Sequence, residues 1–197
     1  MILTHNYWCF KKAIPSETCK KILKVARQKT LQQAAIRKGE MDKIKRDCKI
    51  AWINETWIYD LINPFIHTAN QRAGWNFQWD WNEDSQFTIY EKGHSYGWHV
   101  DQSPEAFKHK NKNIDGKTRK LSLTLQLTDK STYTGGDFQL MWILGDKKDL
   151  LNIITVNDAK DIGTIIIFPS FIHHQVLPIT KGKRESLVNW SIGKRFN

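Results

Sequence analysis

Leu121-Ser122-Leu123-Thr124-Leu125-Gln126-Leu127-Thr128 alternates apolar and polar side chains without a break. Successive side chains of an extended chain point to opposite faces, so this stretch reads as a strand with one face in a core and the other polar. Flanking segments repeat the pattern. Gln86, Thr88 and Tyr90 would share one face of a strand that shows Phe87 and Ile89 on the other. Trp75, Phe77, Trp79 and Trp81 alternate with Asn76, Gln78 and Asp80, which predicts a further half-buried strand. Downstream, Gly135-Gly136 marks a tight turn before a strand over 137–143, and 149–161 holds one more strand and a turn. Thr164 to Phe168 is a β-branched run, read as a central strand stopped by Pro169, and 186–192 closes the series.

Upstream the period changes. Pro15-Ser16-Glu17 predicts a helix start with Ser16 as N-cap, followed by a stripe of Ile22, Leu23 and Ala26. Asn54 and Glu55 predict a second helix, with Trp57, Leu61, Ile62, Phe65 and Ala69 at helical spacing and Pro64 kinking or dividing it. Between the helices, 29–49 is polar and basic, read as a frayed helix and an exposed loop; 50–53 is a short strand. The basic stretch 102–120 reads as a second exposed loop beside the candidate site, and either loop could contact substrate. Two helices followed by seven or eight short strands predict a mainly β protein with N-terminal helices (α+β): a double-stranded β-helix, or jelly roll, braced by helices. One domain is expected over 1–197, with 1–74 as helical support and 75–197 as jelly-roll core.

Composition narrows the class. The 197 residues are 40% hydrophobic, with nine Trp and nine Phe, as expected of a packed globular protein. No long apolar run suggests a signal peptide or a membrane span. Cys9, Cys19 and Cys48 are odd in number and lack metal-binding spacing, so reduced thiols and a cytoplasmic location are expected. The net charge of +10 could steer an acidic substrate, a nucleic acid or an anionic cosubstrate, but a solvated lysine-rich surface is the favoured explanation and needs none of them.

The chemistry-bearing stretch is Trp98-His99-Val100-Asp101. On a strand, His99 and Asp101 would point the same way, and one further histidine would complete a two-nitrogen, one-oxygen set on one face of a metal. Phe168-Pro169-Ser170-Phe171-Ile172-His173-His174 supplies candidates just beyond a strand end, with His173 and His174 both available. Arg184, at the start of the last strand, offers a planar fork for a carboxylate.

These pieces resemble the Fe(II)- and 2-oxoglutarate-dependent dioxygenases, in their prolyl 4-hydroxylase-like (PKHD-type) branch. The resemblance is carried by Tyr90-Glu91-Lys92-Gly93, Tyr96-Gly97-Trp98-His99-Val100-Asp101, Arg119-Lys120-Leu121-Ser122-Leu123, Tyr133-Thr134-Gly135-Gly136-Asp137 and Val176-Leu177-Pro178 before Lys181-Gly182-Lys183-Arg184. It implies His99, Asp101 and His174 as iron ligands, the spacing to Arg184 selecting His174 over His173. It also implies that Arg184 and Tyr90 bind the distal carboxylate of 2-oxoglutarate, that Trp190 walls the cosubstrate pocket, and that Gln126 lines it. The expected cofactors are Fe(2+), 2-oxoglutarate and O2, with L-ascorbate maintaining the iron. The expected reaction is C–H hydroxylation, most readily of a prolyl residue in a peptide or protein, with release of succinate and CO2. Gln175 departs from the basic residue common after the third ligand. The alternatives are an oxidative demethylase or hydroxylase of nucleic acid, and a jelly-roll binding module without catalysis.

Overall fold

The computed structural model describes residues 3–34, 46–143 and 151–196. The first third of the chain forms β1 (Trp8–Phe10), α1 (Ser16–Ala26), β2 (Gln32–Gln33), β3 (Arg46–Asp47), β4 (Lys49–Ile53) and α2 (Thr56–Arg72). There follow β5 (Trp81–Asn82), β6 (Ser85–Tyr90), β7 (Ser95–His99), β8 (Lys117–Gln126), β9 (Tyr133–Gly135) and β10 (Phe138–Ile143). The last are β11 (Leu151–Thr155), β12 (Ile165–Pro169), β13 (His173–Val176), β14 (Ile179–Gly182) and β15 (Arg184–Lys194). One sheet runs β1-β12-β8-β15-β6-β4-β2, with β5 added on β15; a second runs β11-β10-β13-β7-β3; β14 pairs with β9. This is the mainly β, helix-braced jelly roll that the alternation predicts.

The large sheet has two unlike faces, set by the period of two. Leu121, Leu123 and Leu125 of β8 join Phe87, Leu187, Ile165 and Ile167 in a core that packs on the helices. From α1 this core takes Cys19, Ile22 and Ala26; from α2 it takes Ile58, Ile62, Ile66 and Ala69. A second core, between the sheets, joins Ile166, Phe168 and Tyr90 to Phe138, Leu140 and Val176. The polar residues of β6, β8 and β15 therefore face inward, toward the second sheet, where a site can form.

Several local expectations are corrected. The N-cap of α1 is Pro15, with no side-chain cap bond, and Ser16 is the first helical residue; the extended backbone fixed at Pro15 already ends the chain's approach. Helix α2 runs unbroken through Pro64, and Trp57, Leu61 and Phe65 lie at the flank of its buried stripe. The described parts of 29–49 are turn and short strands, not frayed helix, because β2 and β3 extend the edges of the two sheets; the rest of that expectation falls on 35–45, outside the described residues. Residues 1–74 are thus not only helical support, since β1 to β4 come from them.

The tryptophan run keeps its alternating burial from Trp75 to Phe77 but pairs as a strand only at β5. Asn76 has a left-handed φ of 51°, and the Asn70 amide side chain takes over the ladder's role, accepting from Phe77 N–H and donating to its carbonyl. The loop after Asp101 is shorter than expected, because Lys117 to Arg119 already pair with β15. His173 and His174 lie just beyond the end of β12, as expected, and open β13. The turn at Gly135 is real: its φ is +79° and a Cβ there would strike the Pro178 carbonyl oxygen. Fifteen strands are present among the described residues, more than expected, because several two- and three-residue pairings carry no periodic signal.

Candidate metal centre and the cleft around it

Strand register brings the two histidines together. His174 of β13 is the Cα partner of His99 at the end of β7, and their rings lie 4.0 Å apart. Asp101 sits just past β7, not within it. Its N–H and that of Gln102 both donate to the Ser170 carbonyl at 2.9 Å, which folds the carboxylate back toward the histidines. His174 Nε2 is 3.4 Å from Asp101 Oδ2, and His99 Nε2 is 3.9 Å from Asp101 Oδ1. All three donor atoms lie within 4.8 Å of one another, and no other such metal-ligating group occurs among the described residues. Ligands bonded to one first-row ion at about 2.0–2.2 Å stand about 3 Å apart, so a small inward shift would close the set on an ion.

The surroundings fix each donor. His99 Nδ1 lies 2.7 Å from the Gly97 carbonyl and His174 Nδ1 lies 3.1 Å from the Ile172 carbonyl. A carbonyl only accepts, so in these bonds both Nδ1 atoms carry the proton and both Nε2 lone pairs are free for a metal. Burial, then the neighbouring His174, pushes His99 down to about 3, which keeps it neutral. For Asp101 burial pushes upward, but His174, His99, Arg119 and the Ser122 hydroxyl outweigh it and hold the carboxyl near about 2. Ser122 Oγ donates to Asp101 Oδ2 at 2.7 Å; its single proton being used there, it accepts from Ser170 Oγ at 2.9 Å. The donor set, two imidazoles with Nε2 turned to one point and an ionised carboxylate, fits a divalent iron. The pleat of β13 also separates the two histidine candidates: His174 is buried against Phe168, and His173 is exposed on the opposite face.

A cleft of about 390 Å³ opens over these three residues. At one end stands Arg184, 2% exposed, whose Nε–H donates to Gln126 Oε1 at 3.0 Å. Tyr90 is its Cα partner on β6, with the guanidinium 5.7 Å from the ring centre. Burial pushes the Tyr90 hydroxyl well above its usual range, so it stays a neutral donor. Gln126 does not line the cleft; it lies behind Arg184, its amide also reaching Thr128 O at 2.9 Å and Tyr133 Oη at 3.2 Å. Trp190 lines the cleft at the other end of β15, opposite Ser122 in register and 6.3 Å from Trp52. His94, His109, His67 and His5 lie outside the cleft lining.

Residues that sequence reasoning left without a role complete the site. Ser122 and Ser170 hold Asp101. Arg119 lines the cleft because Lys120 is an extra residue in β8: Ser191 opposes Leu121 and Ile192 opposes Arg119. The bulge turns Arg119 away from the leucine face to sit 3.8 Å over Trp190, bidentate with Glu83 at 2.6 and 2.8 Å. Arg46, from β3, lies 4.7 Å over the Tyr96 ring, which stacks at 3.5 Å on His99. A bulge has no composition signature, and β3 is too short for periodicity to reveal.

The model of the 2OG-Fe(II) oxygenase superfamily matches residues 85–192. A PKHD-type hydroxylase of Pseudoalteromonas atlantica is 34% identical over 107 residues, covering 53% of this chain and 41% of that protein. The chain therefore matches only about two fifths (41%) of that curated relative's length. Among solved structures, a Pseudomonas putida prolyl-4-hydroxylase superposes with a TM-score of 0.66 at 20% identity, covering 98% of this chain and 95% of the other. A Trichoplax adhaerens prolyl hydroxylase in complex with a hypoxia inducible factor peptide fragment gives 0.67 at 17% identity, covering 95% and 84%. At such identities the superpositions speak to fold. The family match, which spans β6 to β15 and so takes in all three clustered donors, decides membership: this chain belongs to the 2OG-Fe(II) oxygenase superfamily.

Proposed function

We propose that this protein is an Fe(II)- and 2-oxoglutarate-dependent dioxygenase that hydroxylates a prolyl residue in a peptide or protein. The observation that carries the reading is the buried His99, Asp101 and His174 cluster, with both imidazole Nε2 atoms presented to one point and Arg184 at the end of the same cleft. With metal and cosubstrates bound, the chemistry supplied is decarboxylation of 2-oxoglutarate by O2 coupled to C–H hydroxylation, releasing succinate and CO2.

The chain's own residues set the stage for it. The Gly97 and Ile172 carbonyls hold the two imidazoles in the metal-binding tautomer, and the Ser122–Ser170 relay keeps Asp101 ionised and aimed. Arg184 receives the distal carboxylate of 2-oxoglutarate, with the Tyr90 hydroxyl donating beside it. Gln126 acts through Arg184 by fixing its Nε. Phe138, Phe168 and Val176 line the cleft and keep the wall beside His174 apolar, which excludes water. Trp190 and Trp52 flank the opening where a substrate side chain would enter. L-ascorbate is expected to preserve activity by returning oxidised iron to the ferrous state.

A peptide substrate is supported by the fold shared with prolyl hydroxylases, one of them a peptide complex. Among the described residues no helix is long and apolar enough to cross a membrane. Cys9, Cys19 and Cys48 are all unpaired, which suits the reducing cytoplasm proposed for it. The test is succinate formation by purified protein with Fe(II) and 2-oxoglutarate against proline-containing peptides, with mass spectrometry for one added oxygen on proline. Loss of turnover in His99→Ala and Asp101→Ala is expected; full turnover in both would refute the metal assignment.

A further inference from the structure

Among the described residues three arginines line the cleft, and one of them lacks an assigned anionic partner. Arg119 is neutralised by its two bonds to Glu83. Arg184 is taken by the cosubstrate carboxylate in the reading above. Arg46 has no carboxylate within 4.0 Å among the described residues: Nη2 donates to Gln86 Oε1 at 3.1 Å, and Nε is buried without a hydrogen-bond partner. Its other polar neighbours are Tyr96, Tyr90 and the Cys48 thiol; burial pushes that thiol up despite the nearby guanidinium, so no thiolate balances the charge. A cation left in a half-buried wall is costly unless a ligand completes it.

Its position points to the substrate and not the cosubstrate. Arg184 is register partner of Tyr90 at one end of β6, whereas Arg46 hydrogen-bonds Gln86, four residues along β6, and lies on the Tyr96 side of the cleft with Tyr90 also near its charge. Gln86 is the register partner of Trp52, which is 41% exposed, so that end is the mouth. Arg46 is separated from the metal-binding His99 by the Tyr96 ring, with stacking separations of 4.7 and 3.5 Å. An extended peptide advances about 3.3–3.6 Å per residue, so the guanidinium is within reach of a side chain about two residues from the oxidised one.

We propose that Arg46 is a specificity-determining residue that receives a substrate carboxylate, and that the peptide oxidised here carries aspartate or glutamate within about two residues of the target position. This rests on the peptide reading above. A carboxylate matches a single planar guanidinium with two parallel bonds. A nucleic-acid backbone would call on several cations, and among the described residues no lysine lines the cleft, despite the overall charge of +10.

The experiment is calorimetric titration of the metal-loaded protein, with 2-oxoglutarate and without O2, using peptide twins Ala-Asp-Ala-Pro-Ala-Asp-Ala and Ala-Asn-Ala-Pro-Ala-Asn-Ala, which carry the test residue two positions to either side of the proline. The acidic twin is expected to bind about 10- to 100-fold more tightly, the advantage shrinking to under about threefold in Arg46→Gln and reversing toward a lysine twin in Arg46→Glu. Equal binding of the twins, binding of neither, or a preference that survives Arg46→Gln overturns the assignment. So does an equal loss of 2-oxoglutarate affinity in Arg46→Gln and Arg184→Gln, or displacement of the acidic twin by oligothymidylate. Binding is read without turnover, so absence of succinate with an intact acidic preference would refute the dioxygenase reading and leave the Arg46 assignment standing.

Discussion

Ser122→Ala removes one oxygen and tests how the centre is held. The hydroxyl is 1% exposed and donates at 2.7 Å to Asp101 Oδ2. A hydrogen bond to a charged group contributes about 1.5–3 kcal/mol, and loss of a partner that orients a metal ligand costs about 10- to 100-fold in affinity. Ser122→Ala should therefore weaken binding of Fe(II), or of Co(II) as an air-stable probe, by about 10- to 100-fold in competition with a chelator. The pH dependence should change as well. The Ser122 bond helps keep the Asp101 carboxyl low, so its loss raises that carboxyl, protons compete at higher pH, and the acid limb of metal binding moves upward. The Ser170 hydroxyl reaches the Asp101 carboxylate only through Ser122, and the Ser170 carbonyl that accepts from Asp101 N–H survives substitution, so Ser122→Ala with Ser170→Ala should add little beyond the single change. Unchanged metal affinity and an unmoved acid limb in a folded Ser122→Ala protein would refute the relay.

Arg184→Gln should raise the KM for 2-oxoglutarate by about 10- to 100-fold while lowering kcat much less, because a ground-state carboxylate contact is lost; steady-state succinate kinetics check this, and an unchanged KM would remove Arg184 from that role. The metal-free protein should lose stability on acidification. His99 folds with its proton affinity depressed to about 3 and Asp101 to about 2, so the unfolded chain binds more protons; the loss sets in below the ordinary histidine value of about 6.5 and continues toward pH 2–3, seen as a falling urea midpoint. A midpoint flat from pH 7 to 4 would contradict the burial of neutral His99. Leu125→Ala, at a side chain 0% exposed between sheet and helices, should cost about 2–5 kcal/mol in urea unfolding while metal affinity below the transition stays near wild type; a loss of affinity without loss of stability would contradict its core role.

What was legible in the chain follows from what carries a local period. Leu121 to Thr128 alternates because one face of β8 meets the helices and the other the cleft, and the same division in Gln86 to Tyr90 and Ser186 to Trp190 made the large sheet readable. The tryptophans at 75–81 alternate for the same reason, half-burial of an extended chain, yet only Trp81-Asn82 joins a ladder, so burial period and strand pairing are separable. Pro64 lies inside α2 without dividing it. Its missing N–H and ring oppose a helix locally, but the row of Ile58, Ile62, Ile66 and Ala69 buried against the sheet outweighs that cost. Strands as short as β2 and β3 gain their structure from the sheets they extend, and residue order alone could not announce them.

The site divides along the same line. His99, Asp101, His174, Arg184 and Tyr90 all come to one cleft, the grouping that the family resemblance implies, and their roles are those proposed above. What spacing could not convey is register. His174 meets His99 because β13 pairs with β7 at that residue and not one residue on, which would have presented His173 to the cleft instead. Arg119 reaches Trp190 because one extra residue displaces β8 against β15, and Arg46 reaches Tyr96 because β3 pairs with β7 at Tyr96. The candidate ligands are thus marked by residue identity and the groups around them by strand alignment. A one-residue slip in β7 would leave every motif in the sequence intact and yet dismantle the centre, so the pairing of β13 with β7 belongs to the chemistry as much as to the fold.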